Sequence, residues 1–219
     1  MSESKEPPES LDTIGLKYAF NFGTGKKYTG GDKTSLKNNF TKHYDLLFAP
    51  SRSNKITLLE LGILCGKSLA MWSDYFPNGL IYGIDSDLKP FHANEKDLRK
   101  HGAFANENVK VIERDLLDGT FKELILELPL FDIIIDDALH IPKVQFENFL
   151  QLFPRLNPAG HYIIEDIVDP LTFMTLFSNI FVCISNREHP KVKKNPCYSI
   201  SHKIESIQIK QNMVIIKKI

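Results

Sequence analysis

The sequence predicts an α/β protein: a doubly wound, mostly parallel seven-stranded sheet closed by a C-terminal antiparallel hairpin. Three observations carry this. From Lys55 onward, short apolar runs alternate with amphipathic helical stretches, and repeated β-α units force parallel strands joined by right-handed crossovers. Phe131–Asp136 (FDIIID) is a nearly continuous apolar run, the pattern of a strand covered on both faces. Ser206–Lys210 and Met213–Lys217 flank Gln211-Asn212 and read as two strands of a hairpin.

The elements follow in order. Residues 1–14 read as a disordered, acidic leader, opening on MSESKEPPES with no apolar signal core. Residues 15–54 form a cap or lid segment. Its first half is loop-like, broken by Gly23, Gly25, Gly30 and Gly31. Asn39–Phe48 forms a short helix with Phe40, His43, Tyr44, Leu47 and Phe48 on one face. Glycine, lysine and hydroxyl groups there suit an anion or ligand lid, and equally a surface loop over a sheet edge. The domain proper is 55–219. Ile56–Ile63 is the first strand and Lys67–Phe76 a helix closed by Pro77. Leu80–Asp85 is the second strand, followed by a helix over Phe91–His101. Val109–Glu113 is the third strand, with a helix over Thr120–Leu128. Phe131–Asp136 is the fourth, with a helix over Val144–Leu156 whose stripe is Phe146, Phe149, Leu150 and Phe153. His161–Glu165 is the fifth strand and Leu171–Phe181 a further helix.

Bulk composition narrows the class. Lys+Arg and Asp+Glu are both 27 in 219 residues, so the balanced charge argues against a surface that coats nucleic acid. A hydrophobic share of 42% is that of a folded domain. Cys65, Cys183 and Cys197 are odd in number and widely spaced, as for reduced thiols in a cytoplasmic protein. No apolar run approaches the ~20 residues of a membrane span. A homo-oligomer is left open.

Chemistry concentrates where strands end. The fourth strand runs into Asp136, Asp137 and His140, and open α/β sheets bind ligands outside the carboxyl ends of their strands. The first turn, Glu60-Leu61-Gly62-Ile63-Leu64-Cys65-Gly66-Lys67-Ser68, lets a ligand approach the backbone at Gly62. Leu64 stands where a dinucleotide fingerprint has its second glycine, which disfavours pyrophosphate. Glu60 would repel phosphate, yet could accept a hydrogen bond from the amino group of a non-phosphorylated cofactor. Asp85 ends the second strand where ribose hydroxyls would lie, and Asp115, past the third, could reach an adenine amino group. Taken singly, each acid reads as a solvated loop residue; three at successive strand ends beside the glycine turn read as a cofactor site.

E-x-G-x-x-x-G-x-S followed by G-I-D resembles the S-adenosylmethionine site of class I methyltransferases. LLELGILCGKSLAMWSDYFPNGLIYGIDSD, IIIDDALH and LFPRLNPAGHYIIEDI together are similar to the metal-dependent sugar O-methyltransferases that modify macrolide antibiotics. KYTGGDKTSLKNNFTKHY resembles that family's K-Y-G-T-D-K…H-x-Y-T segment, so the likeness spans about residues 15–170. The resemblance implies S-adenosylmethionine bound by Glu60, Gly62, Gly66, Ser68, Asp85 and Asp115, and a sugar hydroxyl as acceptor. Asp137, Glu165 and Asp166 would hold Mg²⁺ or another divalent cation, with His140 as general base. Neighbouring strands ~4.8 Å apart bring such acids together, and clustered carboxylates call for a cation. Asp136 would face the cofactor or simply close its strand. Trp72 reads as core.

The chain departs from the family pattern at Ala138-Leu139, where D-D-G-S-H has Gly-Ser. It also departs around Gly30-Gly31, which carries an extra residue, and at Asn38, where the family often has His. These changes bear on the substrate. A catechol-type small-molecule O-methyltransferase would share the metal chemistry. A nucleic-acid methyltransferase is disfavoured: from Arg187 onward there are eight Lys/Arg against two acids, but Asn195-Pro196-Cys197-Tyr198 resembles the N-P-P-Y of DNA-modifying enzymes only loosely and follows the wrong strand.

Overall fold

The computed structural model describes residues 8–20, 31–195 and 197–219. Three predicted loop breakers, Gly23, Gly25 and Gly30, lie outside them, as does Pro196. The chain divides into two compact units.

The first unit comprises Met1–Lys55, Leu64–Ile81 and Lys89–Val109. It holds helices α1 (Leu11–Lys17), α2 (Phe40–Phe48), α3 (Lys67–Tyr75) and α4 (Lys89–Lys100). Helix α1 begins within the stretch expected to be a disordered leader and continues into the expected loop. It forms because Ser10 caps it, accepting from the Thr13 amide at 3.1 Å, and because Leu11 and Ile14, one turn apart, are both buried. The Asp12 carboxylate then gathers the following chain, accepting from the Ser35 amide at 2.8 Å and the Thr41 hydroxyl at 2.7 Å. Two phenols strap these helices to α3: Tyr18 donates to Asp74 at 2.6 Å and Tyr75 to Asp45 at 2.7 Å. Burial, reinforced by those carboxylates, holds both phenols protonated well above the usual tyrosine range. Trp72 is fully buried with Tyr44 edge-on at 5.2 Å, a core residue as its sequence position suggested. Gly66 caps α3 at φ 78°, and a Cβ there would stand 2.4 Å from the Phe91 ring of α4.

The second unit comprises Ile56–Ile63, Tyr82–Leu88 and Lys110–Ile219. The sheet has seven strands: β1 (Thr57–Leu61), β2 (Leu80–Asp85), β3 (Val109–Glu113), β4 (Phe131–Asp136), β5 (Leu156–Ile164), β6 (Ile204–Lys210) and β7 (Met213–Lys218). Their order is β3-β2-β1-β4-β5-β7-β6. β1, β4 and β5 are parallel, while β7 runs antiparallel to both β5 and β6, the hairpin anticipated from Gln211-Asn212. Ile133, Ile134 and Ile135 of β4 are at most 2% exposed, and each such side chain contributes about 1.5–3 kcal/mol by leaving water. The edge strand β3 keeps only intermediate burial, which matches its alternating V-K-V-I-E. Helices α5 (Phe121–Glu127), α6 (Pro142–Leu152) and α7 (Pro170–Ser185) belong to this unit, with single turns α8 (Pro190–Lys193) and α9 (Tyr198–Ser201). β5 starts earlier than its apolar run suggests, taking in Leu156–Gly160, and Leu156 pairs with Phe131.

The polarity of α6 departs from expectation. The sequence stripe placed Phe146, Phe149, Leu150 and Phe153 inward. The structure buries Phe149 and Phe153 as that stripe requires, leaves Phe146 and Leu150 at intermediate burial, and adds Val144, Gln145, Asn148 and Leu152, so two amides face the interior. Phe146 turns toward α7 instead, edge-on to Phe177 at 5.0 Å.

The strand order reverses at β1, with β2 on one side and β4 on the other, the place where doubly wound sheets open a crevice. Gly62 lies at that point with φ 80°, and a Cβ on it would come within 2.4 Å of the Asp137 carbonyl oxygen and 2.8 Å of Ala138 Cα. Gly62→Ala therefore meets both backbone strain and backbone overlap. It is expected to lower stability by about 2–4 kcal/mol in urea unfolding, whereas Gly119→Ala, with open space around it, should move it by under about 1 kcal/mol.

Candidate active site

The register of the sheet sets the site. Leu61 pairs with Asp136 and Asp136 with Ile164, so the next residues along each strand, Gly62, Asp137 and Glu165, stand abreast. The Asp137 amide donates to Leu61 O and the Glu165 amide to Asp136 O, both at 3.0 Å, which carries the pairing one step past each strand. The chain then turns sharply. His140 and Asp166 both occupy the left-handed region, at φ 53° and 48°, unusual for residues with a Cβ.

These turns bring Asp137, His140 and Asp166 together: each offers a ligating atom, and the three atoms lie within 4.8 Å of one another. His140 Nε2 is 3.1 Å from Asp137 Oδ1. The side chains are part-exposed, 33% for His140 and 18% for Asp137, so a ligand can reach them from solvent. Glu165, the third acid expected at the metal, is 1% exposed and lies outside that trio. The two carboxylates are the hard oxygen ligands that Mg²⁺ or Mn²⁺ takes alongside bound water.

A cleft opens beside this trio, lined by Gly62, Asp85, Ser86, Asp115, Ala138 and Leu139 among others. Asp85 shapes its floor: its carboxylate accepts from the Ile63 amide at 2.8 Å and the Asp87 amide at 3.2 Å. Asp115 is exposed and accepts from the Leu117 amide at 2.9 Å. Glu60, in β1, is wholly buried. Gly66 and half-buried Ser68 head α3 in the first unit, and Leu64, standing in place of a fingerprint glycine, takes the left-handed conformation (φ 44°) that a glycine would favour.

Asp136 is 0% exposed. Its Oδ2 accepts from Asn148 Nδ2 at 3.0 Å and from the Tyr162 hydroxyl at 3.4 Å. Burial pushes its carboxyl up to about 6, against the hydrogen bonds from Asn148 and the Ala138 amide, with Asp137 adding to the rise. Gln145 Nε2 donates to the Glu165 carbonyl at 2.9 Å, and Asn212 Nδ2 to Asp166 Oδ1 at 2.7 Å. Gln145, Asn148, Tyr162 and Asn212 were not anticipated from sequence. Amides on an otherwise apolar helix face were the available signal for the first two.

Sheet order and strand-end site together define the class I S-adenosylmethionine-dependent methyltransferase fold. No family model matches the chain. The relatives it matches are named as O-methyltransferases. The chain is 29% identical over 209 residues to 8-demethyl-8-alpha-L-rhamnosyl tetracenomycin-C 2'-O-methyltransferase of Streptomyces olivaceus, covering 86% of this chain and 52% of that protein. It is 31% identical over 203 residues to demethylmacrocin O-methyltransferase of Streptomyces fradiae, covering 82% and 48%. The solved structure of the MycE methyltransferase of the mycinamycin biosynthetic pathway, in complex with Mg, SAH and mycinamycin VI, superposes with a TM-score of 0.72 at 26% identity, over 98% of this chain and 55% of that one. The chain thus spans about half the length of the curated relatives it matches. Among the described residues, no helix is long and apolar enough to cross a membrane.

Asn148 supplies the closer of the two side-chain hydrogen bonds to the buried Asp136 carboxylate. Asn148→Ala should cost about 3 kcal/mol in denaturant unfolding, because it strips a donor from a buried acid. Tyr162→Phe, which removes a long 3.4 Å contact, should cost less, about 1 kcal/mol.

Proposed function

We propose that this chain is an S-adenosylmethionine-dependent, divalent-cation-dependent O-methyltransferase whose acceptor is a sugar hydroxyl. One observation carries the reading. A single turn, Asp137–His140, serves both halves of the chemistry: Ala138 and Leu139 line the cleft, while Asp137 and His140 belong to the carboxylate–imidazole trio. A methyl donor in the cleft and an acceptor at the trio would therefore meet across four residues of backbone. Relatives whose names specify rhamnosyl or olivosyl compounds support a sugar acceptor.

In this reading Asp85 and Asp115 receive the donor's ribose and adenine, and Gly62 keeps the cleft floor open to it. Asp137 and Asp166 would hold the cation, with Glu165 next to Asp166 in the chain. When bound, the cation would supply Lewis acidity that lowers the pKa of the acceptor hydroxyl. His140 takes the hydroxyl proton. With Nε2–H donated to Asp137, the neutral ring has Nδ1 as its basic atom, and Asp137 stabilises the imidazolium once the proton arrives. The left-handed backbone at His140 fixes where the ring projects. Catalysis rests on alignment of the hydroxyl with the sulfonium methyl more than on proton transfer.

S-adenosylmethionine should raise the melting temperature of the protein while NAD(P) leaves it unmoved; the opposite pattern would overturn the reading. Methyl transfer to a deoxysugar glycoside or sugar nucleotide should disappear in EDTA and return with Mg²⁺, and activity indifferent to EDTA would remove the cation from the proposal. His140→Ala should lower turnover by about 10²–10⁴-fold, with affinity for S-adenosylhomocysteine unchanged in calorimetric titration.

A further inference from the structure

We propose that Asn212, in the β6–β7 hairpin turn, is a positioning residue that holds Asp166 in its cation-binding conformation; the proposal rests on the metal-dependent reading above.

The hairpin reaches the site through register. β7 pairs antiparallel with β5 at Ile164↔Val214, and two further steps along each strand set Asp166 opposite Asn212. Asn212 then grips the turn twice. Its Nδ2 donates to Asp166 Oδ1 at 2.7 Å, and its carbonyl accepts from the Ile167 amide at 2.9 Å. One contact fixes the carboxylate, the other the peptide that follows it. Between them lies Asp166 itself, at φ 48°, in the left-handed region that aspartate enters more readily than most residues with a Cβ. Gln211, also left-handed at φ 55°, makes the tight reversal that presents Asn212.

A neutral amide is well suited to this task. It donates to a carboxylate oxygen without adding charge, so it orients the ligand without neutralising it. Carboxylates that ligate metals are commonly braced in this way, and losing the brace costs roughly 10–100-fold in metal affinity. The residue comes from the far end of the chain, 46 positions from the acid it holds, which gives the C-terminal hairpin a function beyond capping the sheet.

The test is Mn²⁺ titration of the wild-type chain, Asn212→Ala and Asn212→Leu, read by the electron paramagnetic resonance signal of free Mn²⁺, with thermal unfolding of each metal-free protein alongside. Leucine preserves the volume of the amide without its donor, which covers the case in which alanine loosens the turn. Expected is a roughly 10–100-fold weaker Mn²⁺ affinity in the variants, with metal-free melting temperatures and S-adenosylhomocysteine affinity close to wild type. A lowered melting temperature with undiminished Mn²⁺ affinity overturns the proposal, since it assigns Asn212 to the hairpin alone. A wild-type chain that takes up no Mn²⁺ overturns the metal reading and this proposal with it, whereas equal binding by wild type and variants overturns this proposal only.

Discussion

Two backbone hydrogen bonds govern the site: the Asp137 amide to Leu61 O and the Glu165 amide to Asp136 O. They extend the pairing of β1, β4 and β5 one residue beyond each strand. Because side chains alternate along a strand, slipping either pair by one residue would turn every neighbouring side chain to the opposite face. The β4 isoleucines, buried on both faces, make such a slip costly. The apolar core thus does more than stabilise the sheet. It fixes to one register the ends at which Gly62, Asp137 and Glu165 line up, and the reactive groups inherit that accuracy.

The same strand ends pose a problem of polarity. Asp136 is the last residue of β4 and has no exposure, so its carboxylate must find donors inside the protein. α6 supplies one from Asn148 and, one turn earlier, uses Gln145 on the Glu165 carbonyl. A helix that would gain more hydrophobic energy by burying Leu150 and Phe146 instead presents two amides to the sheet. Those amides partner a buried acid and a strand-end carbonyl, either of which would cost about 1–3 kcal/mol left unmet, while Phe146 and Leu150 keep intermediate burial.

This explains what could be read from the sequence. The alternation of apolar runs and helices placed β1 to β4 and the second half of β5, and the Gln211-Asn212 turn placed the hairpin strands. Asp137, His140 and Asp166 could be picked out because strand ends in this architecture gather ligands, and polar residues there lack a packing reason. α1 was missed: Leu11 and Ile14, one turn apart, make an apolar pattern too short to stand out from a polar leader, and it is packing against its neighbours that stabilises it. The inward face of α6 was legible at Phe149 and Phe153 but not at Gln145 and Asn148, because periodicity counts apolar residues, whereas those amides answer to polar groups on other elements. Asn212 was unreadable for a similar reason. Its significance appears only once β7 is known to pair with β5, a long-range fact that no local pattern contains.

The departures from the family pattern at Ala138-Leu139 now divide into two kinds. Losing a glycine beside the base matters only if the turn needs a left-handed residue at that position. Here the left-handed residues are His140 and Asp166, while Ala138 takes an ordinary conformation. The backbone clearance comes from the opposite side, where Gly62 leaves room for Ala138 Cα to approach. Alanine is therefore accommodated without strain. The left-handed conformation falls instead on His140 and Asp166, residue types that enter it more readily than most, and glycine at either would remove a side chain the trio needs. Leu139 is different. It is 46% exposed, lines the cleft, and replaces a hydroxyl with an apolar surface next to the base. Of the two substitutions, it is the one that changes what a bound molecule meets.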